Sequence, residues 1–212
     1  ALLAENDTEF VIRQNLFFST NLKYSLADNL DDLVFPPENT FPAQVRSDVK
    51  QYLKNIDEGI LIGRAQLDYH ITPKINHHLM FTGGILEDMF SGVGAEYLYF
   101  KPDTNYSFGI ELFKVQKRDY HWGFDHLDYT NTTLTGNFYY RNYGRIPFDM
   151  KLSAGEYLAG DIGSTIELSR TFDTGVRFGI FATFTDVTNE EFGEGSFDKG
   201  IFFNIPIYGN LI

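Results

Sequence analysis

The chain has 212 residues and a net charge of −12; it is 43% hydrophobic and 17% aromatic, with 21 Phe and 13 Tyr against a single Trp. The acidic balance argues against nucleic-acid binding, which needs clusters of Lys and Arg. The lack of cysteine excludes disulfides and thiolate metal sites, and fits an oxidising envelope compartment.

No run of about 18 apolar residues occurs, so no helix is expected to cross a membrane. The sequence opens Ala1-Leu2-Leu3-Ala4-Glu5, without Met or a leader, so either processing removed one or the chain is part of a longer polypeptide. The composition suits one all-β domain over 1–212.

In chain order, strands are expected near 9–18 and 21–28. A long connection follows at 29–56. Within it Val45–Lys54 is the helix candidate, with Ser47 as its cap and Val49, Tyr52 and Leu53 on one face. It reads either as a short helix packed on a barrel mouth or as a plug. The next strand, 59–71, places Leu61, Gly63, Ala65, Leu67, Tyr69 and Ile71 on one face and Arg64, Gln66, Asp68 and His70 on the other. Strands near 77–86, 94–101 and 104–116 follow, with Tyr106, Phe108, Ile110 and Leu112 opposing Ser107, Gly109 and Glu111. After a long connection at 117–131, the strand at 132–142 sets Leu134, Phe138 and Tyr140 against Thr135, Asn137 and Arg141.

The pattern is clearest in the last third. Strands near 148–158, 161–172, 174–185 and 199–206 alternate apolar and polar side chains. Examples are Phe148, Met150, Leu152 and Ala154 against Asp149, Lys151, Ser153 and Gly155. Successive strand side chains point to opposite faces, so each segment has one apolar and one polar face. Pro73-Lys74, Pro102-Asp103 and Asp173-Thr174-Gly175 read as tight hairpin turns. A third long connection spans 186–198.

Repeated over about ten residues at a time, with short turns at one end and long loops at the other, this is the signature of an antiparallel transmembrane β-barrel of the outer membrane. About 10–12 strands are expected. Eleven is an odd number, and the terminal Tyr208-Gly209-Asn210-Leu211-Ile212 lacks a final amphipathic strand, so a fragment of a larger barrel protein is expected. The lipid-facing set would be Phe108, Ile110, Leu112, Phe138, Leu152, Ile166, Leu168, Phe178, Ile180 and Phe184. Periodicity does not say which face is inside. A soluble periplasmic glycan-binding β-domain with those residues as its core is therefore the alternative.

Several stretches resemble a known family. They include Val45-Arg46-Ser47-Asp48, Gly84-Ile85-Leu86-Glu87-Asp88-Met89-Phe90-Ser91-Gly92-Val93-Gly94, and Glu96-Tyr97-Leu98-Tyr99. Further on come Gln116-Lys117-Arg118-Asp119-Tyr120, Leu127-Asp128-Tyr129 and Thr135-Gly136. The most specific are Ala154-Gly155-Glu156-Tyr157-Leu158-Ala159-Gly160-Asp161, Leu168-Ser169-Arg170-Thr171-Phe172, and Glu194-Gly195-Ser196-Phe197-Asp198-Lys199-Gly200-Ile201, followed by Ile205-Pro206. In family order, these stretches resemble the C-terminal part of the YjbH family of exopolysaccharide biosynthesis proteins, which includes the capsule-operon protein GfcD of the group 4 capsule type. The resemblance implies an outer-membrane protein of a Gram-negative bacterium that assists export or assembly of an exopolysaccharide or capsule. Implied partners are outer-membrane lipid, the glycan, other proteins of the secretion operon and the remaining segment of a longer chain. It implies no catalytic residues and no cofactor.

Polar residues in or near those stretches form the candidate lumen or glycan-contacting set: Glu87, Glu96, Glu111, Arg118, Asp119, Tyr120, Trp122, Asp128, Tyr157, Asp161, Arg170, Glu194, Asp198 and Lys199. They read either as a salt-bridged lining that satisfies buried polar groups or as a sugar-contacting surface. In the latter, carboxylates accept hydroxyl hydrogen bonds and Tyr97, Tyr99, Tyr120, Trp122, Tyr129 and Tyr157 offer stacking platforms. A glycosidase needs only two carboxylates about 5–10 Å apart. With 29 acidic residues some pair always meets that spacing, so no enzyme is expected and an envelope polysaccharide-modifying enzyme stands only as the lesser alternative.

His70, His77, His78, His121 and His126 read as surface or loop residues rather than a ligand set. The acidic loop with Asp186, Asn189, Glu190, Glu191 and Glu194 lacks the ligand spacing of a calcium site. Gly83, Gly84, Gly92 and Gly94 precede no helix and no Gly-Lys-Ser/Thr, so no phosphate cradle is expected. Glycines such as Gly155, Gly160 and Gly163 read as bends and close strand approaches in a curved sheet.

Overall fold

Period-two patterning becomes one β-meander. The computed structural model describes residues 2–27, 48, 51–53, 60–120, 123–187 and 197–206. Eleven strands run in sequence order: β1 (Leu2–Arg13), β2 (Leu16–Ala27), β3 (Ile60–Lys74), β4 (His77–Ile85), β5 (Phe90–Phe100), β6 (Tyr106–Arg118), β7 (His126–Asn142), β8 (Phe148–Glu156), β9 (Ile162–Thr171), β10 (Arg177–Thr185) and β11 (Asp198–Asn204). Each pairs only with its sequence neighbours, always antiparallel. The all-β antiparallel architecture is as expected. Closure is not: among the described residues β1 and β11 do not pair, and the sheet is open.

The sheet curls around its polar face. Side chains from β3 through β9 line a single cavity, although flat strands spaced about 4.8 Å apart would hold β3 and β9 about 29 Å from each other. The convex face is apolar and exposed. Phe108 is 47% exposed, Ile110 51% and Leu134 55%. The buried polar residues Ser19, Asn21, Asp68, Thr82, Thr133, Asn137 and Ser169 belong to the opposite side.

Two glycine pairs bend the sheet inward at one rim. Gly84 faces Gly92 across β4 and β5, and Gly155 faces Gly163 across β8 and β9. A Cβ at any of the four would collide with a neighbouring strand's main-chain carbonyl oxygen, that of Ala65, Lys114, Leu134 or Phe184 respectively. Gly84 also has φ +137°, a region open to glycine and rarely to other residues. The hairpin ends at 86–89 and 157–161 therefore fold in over the concave face.

Several boundaries differ from expectation. The first hairpin turns at 14–15, inside the strand expected at 9–18, because Gln14-Asn15 carries neither Gly nor Pro to mark it. The turn after β3 is Ile75-Asn76, with Asn76 at φ 69°, rather than Pro73-Lys74; Pro73 falls at an irregularity of the β3–β4 ladder. Strand β5 begins at Phe90 and β7 at His126, where glycines and a polar run had suggested connections. A bulge at Gly63, facing Asn21–Leu22, shifts the phase of β3 by one residue. Leu61 is consequently buried, while Leu67 and Tyr69 stay exposed, so the six residues expected on one face divide between two. Of the helix candidate, Asp48 and 51–53 are described, and 51–53 form a helical turn.

Candidate functional site

Alternation puts every second residue of each strand on the concave face, and most of them are hydroxyls, amides or charges. A cavity of about 510 Å³ runs along it, walled by Gln66 and Thr82 from β3 and β4, Glu96 from β5, Glu111 from β6, Thr133, Thr135 and Asn137 from β7, Lys151, Ser153 and Glu156 from β8, and Thr165 and Glu167 from β9. A second cavity of about 460 Å³ lies toward the rim of short turns and shares Lys151 and Glu167 with the first. The two form one trough.

Its walls are hydrogen-bonded across strands. Asp68, 5% exposed, accepts from Thr82 Oγ1 at 2.6 Å, Gln66 Nε2 at 2.8 Å and Ser19 Oγ at 3.3 Å. Asn137 Nδ2 donates to Glu111 Oε1 at 2.8 Å, and Ser153 Oγ donates to Asn137 Oδ1 at 2.7 Å. Arg177 Nη2 donates to Glu167 Oε1 at 2.8 Å. Glu96 and Glu111 stand directly opposite each other in register on β5 and β6. Like charges so placed oppose strand pairing, and the trough keeps both carboxylates facing its open volume.

The other end has an apolar floor. Leu86, Phe90 and Leu158 line the first cavity with Glu87 and Tyr157, and they pack with Tyr52, Met89, Val115, Phe113, Tyr120 and Tyr129. Tyr129 Oη donates to the Leu158 carbonyl at 2.9 Å, and Asn131 Nδ2 to the Tyr157 carbonyl at 2.9 Å. Arg118, only 2% exposed, donates from Nη1 to the carbonyls of Ile62 at 2.8 Å and Asp88 at 2.9 Å. Tyr52 Oη donates to the Arg118 carbonyl at 2.5 Å. Lys117 forms an ion pair with Asp48, and Lys23 with Asp88 at 2.7 Å. Burial pushes the Tyr52 and Tyr120 hydroxyls up, with Asp48 adding to both. Burial also pushes the Glu87 carboxyl up to about 7, against the lowering effect of its bond from the Met89 N–H.

The model of the YjbH family, described as exopolysaccharide biosynthesis protein YbjH, matches residues 1–211. The chain belongs to the YjbH family. The uncharacterized lipoprotein YjbH of Escherichia coli (strain K12) is 34% identical over 201 residues, covering 92% of this chain and 28% of the relative. The chain thus spans less than a third of the curated relative it matches. No solved structure matches.

In this YjbH-family chain the expected site residues disperse. Glu87, Glu96, Glu111 and Tyr157 line the main cavity. Arg118 and Tyr120 build the floor rather than the lining. Asp119 accepts from the Tyr120 N–H at 2.6 Å beside it. Asp161 lies in the β8–β9 connection, its carbonyl accepting from the Tyr157 N–H at 2.8 Å, and burial raises its carboxyl. Asp128 is exposed on the alternate face of β7. Arg170 also lies on the convex side and packs over the Phe172 ring at 4.8 Å. Asp198 and Lys199 are exposed on β11, with the Lys199 ammonium over the Phe197 ring. Trp122 and Glu194 lie outside the described residues, as does His121.

Asp68, Thr82, Asn137, Lys151, Ser153 and Glu167 were missed. Their signal is present, since each takes the polar beat of its strand, whereas the expected set lies in family-like stretches, many of them in connections. Of the ten residues expected to face lipid, nine are exposed and Phe138 is half-buried. All ten share the convex face. Of the expected platforms, Tyr97 and Tyr99 are on that outer face too, beside His77. They belong to an aromatic row along the short-turn rim: Phe10–Phe18, His77–Tyr99, Tyr106–Phe108–Phe138, Tyr140–Phe148 and Phe178–Phe203, with ring centroids 5.0–6.3 Å apart. No group of three His, Cys, Asp or Glu among the described residues is placed to hold a metal ion.

Proposed function

We propose that this domain is the wall of an outer-membrane β-barrel, the C-terminal portion of a longer envelope protein. Its polar trough contacts an exopolysaccharide and guides it during export or assembly, by binding rather than by catalysis. The observation that carries the reading is the inverted sidedness of the sheet. Ile110, Leu112, Leu134, Leu152, Ile166 and Ile180 are exposed on the convex face, while hydroxyls, amides and carboxylates are gathered on the concave one. A water-soluble sheet would bury the apolar set; a membrane barrel turns it to lipid. The aromatic row at one rim matches an interfacial girdle. Membership of a family named for exopolysaccharide biosynthesis and a lipoprotein relative from a Gram-negative bacterium support an envelope setting.

The trough offers what a sugar chain recognises: closely spaced acceptors and donors for hydroxyls, with Tyr139 and Tyr157 at its sides. Other proteins of the polysaccharide secretion operon would deliver or receive the glycan. The test has two parts. Full-length protein from outer membranes is run unboiled and boiled in mild detergent; a compact fast band that shifts on boiling is expected. The double variant Glu96→Gln/Glu111→Gln should keep that band and lower surface exopolysaccharide. Protein confined to the soluble periplasmic fraction would sink the membrane reading, and unchanged exopolysaccharide in the double variant would sink the role of the trough.

A further inference from the structure

Among the described residues two strands of this sheet have a free side, and the reading above makes that untenable. In hydrocarbon every backbone N–H and C=O must find a partner, so a membrane-spanning sheet has no open edge. Natural edges in water are blunted by lysine, proline or shortness. Strand β1 is twelve residues long and has neither Lys nor Pro. The apolar band reaches both edges: Phe10 on β1 is 55% exposed and Ile201 on β11 is 67% exposed, although Asn6 and Thr8 share the face of β1 that carries Phe10.

Direct closure of β11 on β1 conflicts with strand direction. All ten pairings are antiparallel, so in an eleven-stranded meander the first and last strands run the same way. Joining them would place one parallel pairing in an otherwise antiparallel wall. An odd number of additional strands restores the alternation.

We propose that the barrel is completed by an odd number of further strands of the same polypeptide, seated between β11 and β1. This rests on the membrane reading. The same polypeptide is the source because the matched segment is only 28% of the E. coli relative, so a family member has the chain to supply them. A strand joined through its own connection also needs no second molecule at the edge.

The experiment uses the full-length protein in outer membranes, with any native cysteines outside these residues replaced. The control pair Ile180→Cys/Ile201→Cys sits in register on β10 and β11 and should form its disulfide. Closure pairs combine Thr8→Cys, Phe10→Cys or Ile12→Cys on β1 with Ile201→Cys or Phe203→Cys on β11; none should link. A photoreactive residue at Phe203 should cross-link, by peptide mapping, to a segment of the same molecule outside residues 2–206. A β1–β11 disulfide in protein that still shifts on boiling would overturn the inserted strands and leave the barrel intact. Cross-linking to a second copy would overturn the same-polypeptide source. Loss of heat-modifiable migration in the parent protein would overturn this inference together with the membrane reading.

Discussion

Glu87 sits in the connection that folds under the trough, and its carboxyl is pushed up to about 7 by burial. The folded state therefore holds a proton that the unfolded chain has already released between about pH 4.5 and 7. Stability from this group falls as pH rises through that window and is lowest above it. Glu87→Gln keeps an acceptor for the Met89 N–H and removes the titration. Urea unfolding in detergent should show the parent losing stability from pH 5 to pH 8 and the variant losing less, with the difference largest at pH 8. Gly84 gives a second residue-scale test. Alanine there meets the Ala65 carbonyl oxygen in a backbone conformation that alanine resists, and should cost about 1–3 kcal/mol. Gly136→Ala is the comparison: its Cβ comes no closer than 3.9 Å to the Ala154 carbonyl oxygen, and its unfolding midpoint should shift much less.

At the scale of elements, the end of β6 ties the floor together. Arg118 holds the carbonyls of Ile62 and Asp88, joining β3, the β4–β5 connection and β6. Arg118→Met would leave those carbonyls without their donor, at about 1–3 kcal/mol each. Faster protease cleavage within 86–89 is expected, with the β-sheet circular dichroism unchanged. None of this was legible in the sequence. Period two identifies which residues of β6 to β10 share a face, because each strand alternates, β6 as far as the irregularity at 116–118. It fails at β3, where the bulge at Gly63 moves Leu61 to the other side. It also fails at the first hairpin, where Gln14-Asn15 turns without glycine. The floor is a tertiary product: Tyr52, Met89, Phe90 and Val115 meet only once two hairpins bend inward. The trough was readable in principle, since Asn137, Lys151 and Glu167 occupy polar beats. The clash of Glu96 with Glu111 needed the register of β5 against β6.

At the scale of the whole molecule, the two faces make opposite predictions for the same substitution. Ile110→Arg places a charge in the middle of the exposed apolar band and should cost about 2–4 kcal/mol near the bilayer midplane, seen as loss of the fast-migrating unboiled band. Ser153→Arg, on the trough side, should assemble and keep that band. Equal tolerance of the two would remove the lipid assignment of the convex face.

Among the described residues the floor of the trough is made from the wall's own hairpins, with Tyr52 of the β2–β3 connection packed among them. Traffic through that end would require β4–β5 and β8–β9 to straighten, and the swing would turn on Gly84, Gly92, Gly155 and Gly163. A side chain at any of those hinges would jam the aperture as well as strain the fold, so permeability and stability would be expected to change together there and separately elsewhere along the wall.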